Sequence, residues 1–197
     1  MGRLFKPSGL VGLAVACVLL ALLLAPLGVA EYAHRSHALA LRGAPGLPWA
    51  AGFNALAFVL PGLLLAVAGW RLRDRLADAH ALARVGIAMV QVSALAHAAQ
   101  GLLPLDPAQL EEGSGKLHAM AWMLWWMAFV PGAALVGLGA RRGSAWLLLS
   151  LAAALGVLGL GVLAPVGASV GLQQRLALAL WLGWWIWLAR APAARAR

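Results

Sequence analysis

Cysteine, acidic residues and charge in general are scarce in this sequence. Of its 197 residues one is cysteine and six are aspartate or glutamate, and charged residues make up 11%. The single Cys17 excludes an internal disulfide and a metal site built from cysteines. So low a charged fraction, together with 63% hydrophobic residues, also excludes an ordinary soluble globular domain.

Six long apolar stretches make up most of the chain. Each has roughly the 20 residues that a helix needs to cross the hydrocarbon core of a bilayer. They predict an all-α fold, a polytopic membrane helix bundle with six transmembrane helices in a single domain over residues 1–197. The first stretch is longer than the roughly 7 to 15 apolar residues of a signal peptide, so we expect it to be a retained helix. The predicted spans are residues 8–30, 49–70, 84–104, 117–140, 144–167 and 174–190.

The positive charges indicate the orientation of these spans. A net charge of +9 would suggest a nucleic-acid partner in a soluble protein, but here the basic residues flank the apolar stretches, and we expect no nucleic-acid partner. If the first loop lies outside, four basic residues are on the outer side, namely Arg35, Arg42, Lys116 and Arg175. The other eleven then lie inside: Arg3, Lys6, Arg71, Arg73, Arg75, Arg84, Arg141, Arg142, Arg190, Arg195 and Arg197. This bias predicts a multi-pass protein of a bacterial inner membrane with both termini cytoplasmic (N-in/C-in).

Polar side chains gather at the predicted outer ends of the spans. They are Tyr32, His34, Ser36 and His37 in the first outer loop, Asp106 and His118 around the second, and Gln174 and Arg175 after the third. If the first loop is helical, His34 and His37 share a face, with the spacing that lets two imidazoles reach one metal ion. Asp106 and His118 would complete a zinc site with an open position. Such a site would hydrolyse an ester or amide at the lipid surface, with Asp106, His118 and Ser36 as catalytic residues.

Each of these residues also has a structural interpretation. Asp106, followed at once by proline and three positions later by glutamine, has the pattern of a helix N-cap with a capping box. His34 and His37 would then be solvated residues of the membrane interface, and His118 would begin a helix at the depth of the headgroups. Arg175 would extend to the surface or bind a lipid phosphate.

A second set of polar residues lies within the apolar spans, where an unpaired polar group is costly. It comprises Asn54, Gln91, Ser93, His97 and Gln100. For His97 we expect a hydrogen bond to a neighbouring helix. Ligation of one haem by His97 and His118 is disfavoured, because their depths in straight helices differ by about 10 Å.

Tryptophans and prolines recur at regular positions. Two sets of tryptophans each share one helix face and would pack against each other or line a pocket: Trp122, Trp125 and Trp126 on the fourth span, and Trp181, Trp184 and Trp185 on the sixth. A proline-glycine step occurs at Pro61-Gly62 in the second span and at Pro131-Gly132 in the fourth. Such steps would bend the helices and open a cavity toward the outside.

Several short motifs together resemble a known family. They are Tyr32 through His37, Gly43-Ala44-Pro45-Gly46, Gly52-Phe53-Asn54, Leu103-Pro104-Leu105-Asp106, Lys116-Leu117-His118 and Gly171-Leu172-Gln173-Gln174-Arg175. Over nearly the whole chain this series resembles the bacterial membrane family catalogued as domain of unknown function 998. The resemblance implies a six-helix bundle with an outer-facing polar cluster, and it implies no particular reaction. The serine-rich stretch of that family is reduced here to Ser36, and the terminal His-x-x-x-His of the more distantly similar ceramidases and adiponectin receptors is absent.

Two functions of different classes remain open. The first is a lipid-directed, metal-dependent hydrolase or transferase that acts on a lipid or lipid-linked substrate. The second is non-enzymatic, either binding of a lipid or small amphiphile or a role as a subunit of a membrane complex. Membrane lipids are partners in both. The expected ligand-binding residues are Arg175, Gln174, Asn54, His97, Tyr32 and Trp122.

Overall fold

The computed structural model describes residues 6–75, 80–140, 143–164 and 169–190. Within these ranges the protein is all-α, with six long helices joined by turns and no β-strand. The helices are α1 (Pro7–Leu24), α2 (Ala50–Asn54, Ala55–Val59 and Leu60–Arg75), α3 (Ala81–Leu102), α4 (Gly113–Gly139), α5 (Ser144–Leu158 and Gly159–Leu163) and α6 (Val170–Arg190). The middle part of α2 and the last part of α5 are π-helical, and a short 3₁₀-helix, Leu39–Gly43, lies in the first loop. The predicted all-α helix bundle is confirmed.

Five of the helices, α1 to α5, are long and apolar enough to cross a membrane. Because lipid offers no hydrogen-bond partners to the backbone, such apolar helices are the form in which a chain crosses it, and the protein is a membrane protein. With 21 residues α6 also has the length of a crossing helix. It is less apolar than the others because it includes Gln173-Gln174-Arg175 near its start and four tryptophans further on.

Prolines end two helices before the apolar stretches end. α1 stops at Leu24 rather than at residue 30, because Pro26 has no N–H to continue the helix and Gly28 turns the chain with a φ of 76°. α3 stops at Leu102, just before Pro104. The carbonyls at these two helix ends therefore need donors from elsewhere in the protein.

Two helices begin four residues earlier than the hydropathy pattern predicts. α4 begins at Gly113 rather than at residue 117, which places His118 in its second turn instead of at its start. α6 begins at Val170 rather than at residue 174. Gln174 and Arg175 are therefore helical residues near the beginning of α6, from which their side chains reach the first loop.

Helices that are consecutive in the chain are neighbours in the bundle. Each of the helices α1 to α5 packs on the next, and α6 returns to pack on α1. The indoles of Trp181 and Trp185 are fully buried inside the bundle. Trp181 meets Trp125 of α4 edge-on, with ring centroids 5.7 Å apart. The two tryptophan faces thus contact each other through Trp125 and Trp181, which is one of the two arrangements that the sequence predicted.

Glycine allows the backbones of α2, α3 and α4 to approach closely. A Cβ at Gly86 of α3 would lie 2.6 Å from the carbonyl oxygen of Gly132 in α4, nearer than a real Cβ can come. A Cβ at Gly62 of α2 would lie 2.5 Å from the carbonyl oxygen of Ala94 in α3. Gly62 and Gly132 are the glycines of the two proline-glycine steps, so both steps face α3 and allow close helix packing.

Candidate functional site

A cavity of about 250 Å³ lies at the end of the bundle that contains the first loop. Its wall is formed by the first loop and by every helix except α1. Both π-helical segments contribute to it, through Phe58 of α2 and Gly161 of α5. Since π-helical turns are frequent at functional sites, their presence on two sides of one cavity makes it the leading candidate.

His97 in the cavity wall binds a carbonyl that cannot receive the usual α-helical hydrogen bond, because the residue four positions later is a proline. Pro61 has no N–H and cannot donate to the carbonyl of Ala57, four residues earlier in α2. His97 Nε2 donates to that carbonyl at 3.0 Å. Because a carbonyl only accepts, a neutral imidazole in this position has its proton on Nε2 and presents Nδ1 as an acceptor. The hydrogen bond to a neighbouring helix that we predicted for His97 is confirmed.

His118 in the cavity wall is held in the same way. Pro104 cannot donate to the carbonyl of Gln100, and the carbonyl of Leu103 follows the end of α3. His118 Nδ1 lies 3.0 Å from the first of these oxygens and 2.9 Å from the second. The neutral imidazole therefore has its proton on Nδ1 and presents Nε2 as an acceptor. From its place on α4, His118 caps α3.

Returning the missing N–H to α2 should compensate for the loss of His97. We expect His97→Leu to lower the free energy of unfolding by about 2 kcal/mol, because it leaves the buried carbonyl of Ala57 without its side-chain donor. In the double variant with Pro61→Ala, about 1 kcal/mol should return through a new backbone bond. Chemical unfolding in detergent micelles measures both values. Pro131→Ala in the His97→Leu background is the matched control, and an equal recovery there would contradict this pairing.

Two buried donors beside the cavity have no acceptor. The Gln100 side chain is 3% exposed. Among the described residues, neither its Nε2 nor the indole Nε1 of Trp125 has a hydrogen-bond partner. Both residues line the cavity, together with His97 and His118. The residues that line the cavity thus include two with unpaired buried donors and two with imidazoles, in an otherwise largely apolar wall. This composition is typical of a site that orients a small ligand.

Arg175 joins the start of α6 to the first loop. Its guanidinium donates to the hydroxyl of Tyr32, to Nδ1 of His34 at 3.2 Å and to the backbone carbonyl of His37 at 3.0 Å. It also donates to the carbonyl of Gly171 at 2.7 Å. The Tyr32 ring contacts both imidazoles, edge-on to His34 and stacked on His37. We call Tyr32, His34, His37, Gly171 and Arg175 the Arg175 cluster.

The Arg175 cluster and Gln174 hold the first loop against the cavity. The backbone N–H of Leu39, a residue of the cavity wall, donates to Gln174 Oε1 at 3.1 Å. A Cβ at Gly171 would lie 2.4 Å from the carbonyl oxygen of His37, so only glycine allows the loop to come this close to α6. The first loop therefore covers one side of the cavity, and α6 holds it there.

The Arg175 cluster shifts the protonation of two of its members. Partial burial lowers the pKa of the His34 imidazole, and the neighbouring charge of Arg175 lowers it further. Burial raises the pKa of the Tyr32 hydroxyl, and the charge and hydrogen bond of Arg175 oppose this effect. At neutral pH His34 is therefore uncharged, which lets its Nδ1 accept from the guanidinium.

The structure does not bring the expected zinc ligands His34, His37, Asp106 and His118 together. In the part of the chain that the structure describes, which includes all four, no three His, Cys, Asp or Glu side chains lie close enough to hold one metal ion. The first loop is not the α-helix that the spacing argument required, but a series of turns before its short 3₁₀-helix. Instead of facing a common point, His34 Nδ1 accepts from Arg175, and His37 Nδ1 accepts from the N–H of Ala33 at 3.1 Å.

Ser36 and Asp106, expected to act in catalysis, do not line the cavity. Ser36 is exposed, and its hydroxyl lies 3.3 Å from Nδ1 of His37. Asp106 accepts from the backbone N–H of Ala108 at 2.9 Å. It stabilises a turn rather than capping a helix, because α4 begins only at Gly113.

The expected ligand-binding residues divide into three groups. His97, Trp122 and Gln174 line the cavity, as does His118. Tyr32 and Arg175 belong to the Arg175 cluster beside it. Asn54 lies behind the wall, where its Nδ2 donates to the carbonyl of Gly43 at 2.9 Å and supports the first loop.

The depths estimated for His97 and His118 from straight helices did not reveal that both side chains contact one aromatic ring. Both rings contact the same phenyl ring, that of Phe58, with centroid distances of 5.2 Å for His97 and 6.3 Å for His118. The two imidazoles therefore belong to one site. In each ring one nitrogen is engaged by a backbone carbonyl.

Sequence reasoning missed the role of Arg42, which it counted only as an outer charge. The side chain is 1% exposed. Its guanidinium donates to the carbonyls of Ala25, Pro48 and Leu27 at 2.7, 2.9 and 3.1 Å. Ala25 and Leu27 directly follow Leu24, where α1 ends, so Arg42 supplies donors at the end of a proline-terminated helix. Glu31 and Arg35 are charged residues of the same loop, so no signal in the sequence distinguished Arg42 from them.

The chain gives no match to any family model, to any curated protein or to any solved structure with which it was compared. The resemblance to domain of unknown function 998 therefore stays a prediction from the short motifs.

Proposed function

We propose that this chain is a multi-pass protein of a bacterial inner membrane that binds a lipid or other small amphiphile in the cavity without converting it chemically. The observation that supports this most directly is the Gln100 amide, a buried donor in the cavity wall without an acceptor among the described residues. An unpaired buried donor is costly, and a ligand atom that accepts from it removes this cost. Binding is favoured for that reason.

The shape of the cavity supports an amphiphile rather than a large polar substrate. Its wall is mainly apolar or aromatic and includes Leu39, Phe58, Trp122 and Leu178. Its volume of about 250 Å³ is slightly below the roughly 300 to 1,000 Å³ of most small-molecule sites. The polar end of the ligand and the first part of its chain fit this space, with the rest of the chain in the bilayer.

The hydrolase or transferase hypothesis has less support, because its residues are dispersed. A nucleophile, a base and the substrate must lie within hydrogen-bond reach of one another. His118 lines the cavity, whereas Ser36 lies on the exposed surface of the first loop. Nδ1 of His37, which faces the Ser36 hydroxyl, already accepts from a backbone N–H.

The positive-inside rule indicates on which side of the membrane the cavity lies. With both termini cytoplasmic, the end of the bundle that contains the first loop faces the outer side. The ligand then enters from the outer leaflet. This sidedness agrees with the outer-facing polar cluster that the resemblance to domain of unknown function 998 implies.

Binding can be tested by native mass spectrometry of the protein in lipid nanodiscs with added monoolein, a neutral amphiphile with one chain. We expect a one-to-one adduct with the wild-type protein. Ala177→Leu adds volume inside the cavity, since Ala177 is a buried wall residue, and should weaken the adduct about tenfold by steric exclusion. Ala152→Leu makes the same change at an exposed position of α5 and should leave the adduct unchanged. No adduct, or an adduct equally strong in Ala177→Leu, would overturn the proposal.

A further inference from the structure

The donors and acceptors of the cavity indicate which chemical group it recognises. This step rests on the proposed function, because it concerns the ligand of the same cavity. We infer that the polar end of the ligand is an uncharged hydroxyl group, as in an alcohol or a glycerol monoester. Such a group both donates and accepts, and the cavity offers partners for both.

The acceptors are the two imidazoles. His97 uses its Nε2 proton on the carbonyl of Ala57, and His118 uses its Nδ1 proton on the carbonyls of Gln100 and Leu103. The prolines that free these carbonyls thereby determine which nitrogen of each ring has the proton. His97 Nδ1 and His118 Nε2 are left as acceptors, and each needs a donor from the ligand.

The donors are the side chains that the protein leaves unpaired. Gln100 Nε2 and Trp125 Nε1 are buried and have no acceptor within the described ranges. Both residues line the same cavity as the imidazoles. A hydroxyl oxygen accepts from one of these donors while its proton goes to an imidazole nitrogen.

Charged headgroups do not fit this wall. None of the described residues that line the cavity is Lys, Arg, Asp or Glu. A phosphate or carboxylate would lie against two imidazole lone pairs with no cation to balance it, and an ammonium group would have no carboxylate. The guanidinium of Arg175, beside the cavity, already donates to the other members of the Arg175 cluster.

Ligand groups that only accept hydrogen bonds pair with the donors of the cavity but not with its acceptors. A ketone or an ether accepts from Gln100, but it has no proton for His97 Nδ1 or His118 Nε2. Those nitrogens would then be desolvated without a donor, which weakens binding. The cavity should therefore distinguish an alcohol from an ether of the same length, although the two have similar apolar surfaces.

The inference can be tested with ligands that share one chain and differ only at the polar end. Dodecanol, dodecyl methyl ether, 2-dodecanone and dodecanoate would each compete with monoolein for the wild-type protein in nanodiscs, at matched mole fractions in the bilayer. We expect dodecanol to displace monoolein. The ether and the ketone should compete with about tenfold lower affinity, and dodecanoate with lower affinity still.

The contribution of Gln100 is measured by Gln100→Met, which keeps the length of the side chain and removes the amide. This variant should bind dodecanol and the ketone more weakly than the wild-type protein does, because both compounds accept a hydrogen bond from the amide. The affinity for dodecanol should still exceed the affinity for the ketone, since the imidazoles that accept from the hydroxyl group are unchanged.

The outcomes separate this inference from the proposed function. If all four compounds displace monoolein equally well and Ala177→Leu weakens them all, the cavity binds amphiphiles but does not recognise a hydroxyl, and the inference is overturned. If Ala177→Leu changes the binding of none of the four compounds, both the hydroxyl inference and the proposed function are overturned. The unpaired donors then bind ordered water only. An advantage of dodecanol over its methyl ether that Ala177→Leu abolishes supports both.

Discussion

Arg42→Met should lower the free energy of unfolding by about 3 kcal/mol, since it leaves three carbonyls without their donor at roughly 1 kcal/mol each. The guanidinium of Arg42 is buried and donates to Ala25, Leu27 and Pro48. Methionine fills part of the same volume but donates no hydrogen bond. Unfolding in detergent micelles, followed by tryptophan fluorescence, measures the loss.

A lysine at position 42 and an exposed arginine of the same loop provide the controls for Arg42. Arg42→Lys keeps the charge but replaces a planar group with five N–H donors by a single ammonium, and it should recover only part of the lost stability. Arg35→Met removes an exposed arginine from the same loop and should change the free energy of unfolding by less than about 0.5 kcal/mol. Equal stabilities for Arg42→Met and Arg35→Met would show that Arg42 does not hold the end of α1.

Arg175→Ala should release the first loop from α6 and expose the cavity. The substitution removes the bonds from the guanidinium to Tyr32, His34 and the carbonyl of His37. At about 2 kcal/mol in total, their loss should raise amide hydrogen exchange of the loop by roughly 30-fold. Leu39 and Leu172 are the amides to follow, because both donate across the contact between the loop and α6. Bound monoolein should also dissociate faster, since the loop forms one wall of its cavity.

Lower pH should weaken the Arg175 cluster through His34. The pKa of His34 is lowered in the folded protein from its ordinary 6.5, so the unfolded or released loop binds the proton more readily. The contact is therefore complete above about pH 6.5 and is lost as the pH falls below that value. His34→Gln has no proton to gain in this range. It should therefore make the protection factors of the loop amides, that is, their exchange rates corrected for the intrinsic effect of pH, much less dependent on pH between about 7.5 and 5 than in the wild-type protein. Arg175→Ala with exchange like that of the wild-type protein would contradict the role of the cluster.

The sequence by itself determined the helices and their approximate ends. Transmembrane length and apolarity are properties of a local stretch, so counting apolar residues was enough to predict an all-α bundle. Prolines were informative for the same reason, since a missing N–H acts within four residues. Pro26 and Pro104 mark where α1 and α3 end, although the predicted spans continued past Pro26 to residue 30 and included Pro104 itself.

Only the tertiary structure decided which polar residues act together. Spacing in the sequence assigned His34, His37, Asp106 and His118 to one metal site, but spacing determines depth and not which side chains meet. The partners of His97, His118 and Arg42 are backbone carbonyls of other segments. Every residue has such a carbonyl, so no residue type in the sequence identifies the ones that these side chains reach. Helix packing made that choice, and with it the pattern of donors and acceptors that the cavity presents to a ligand.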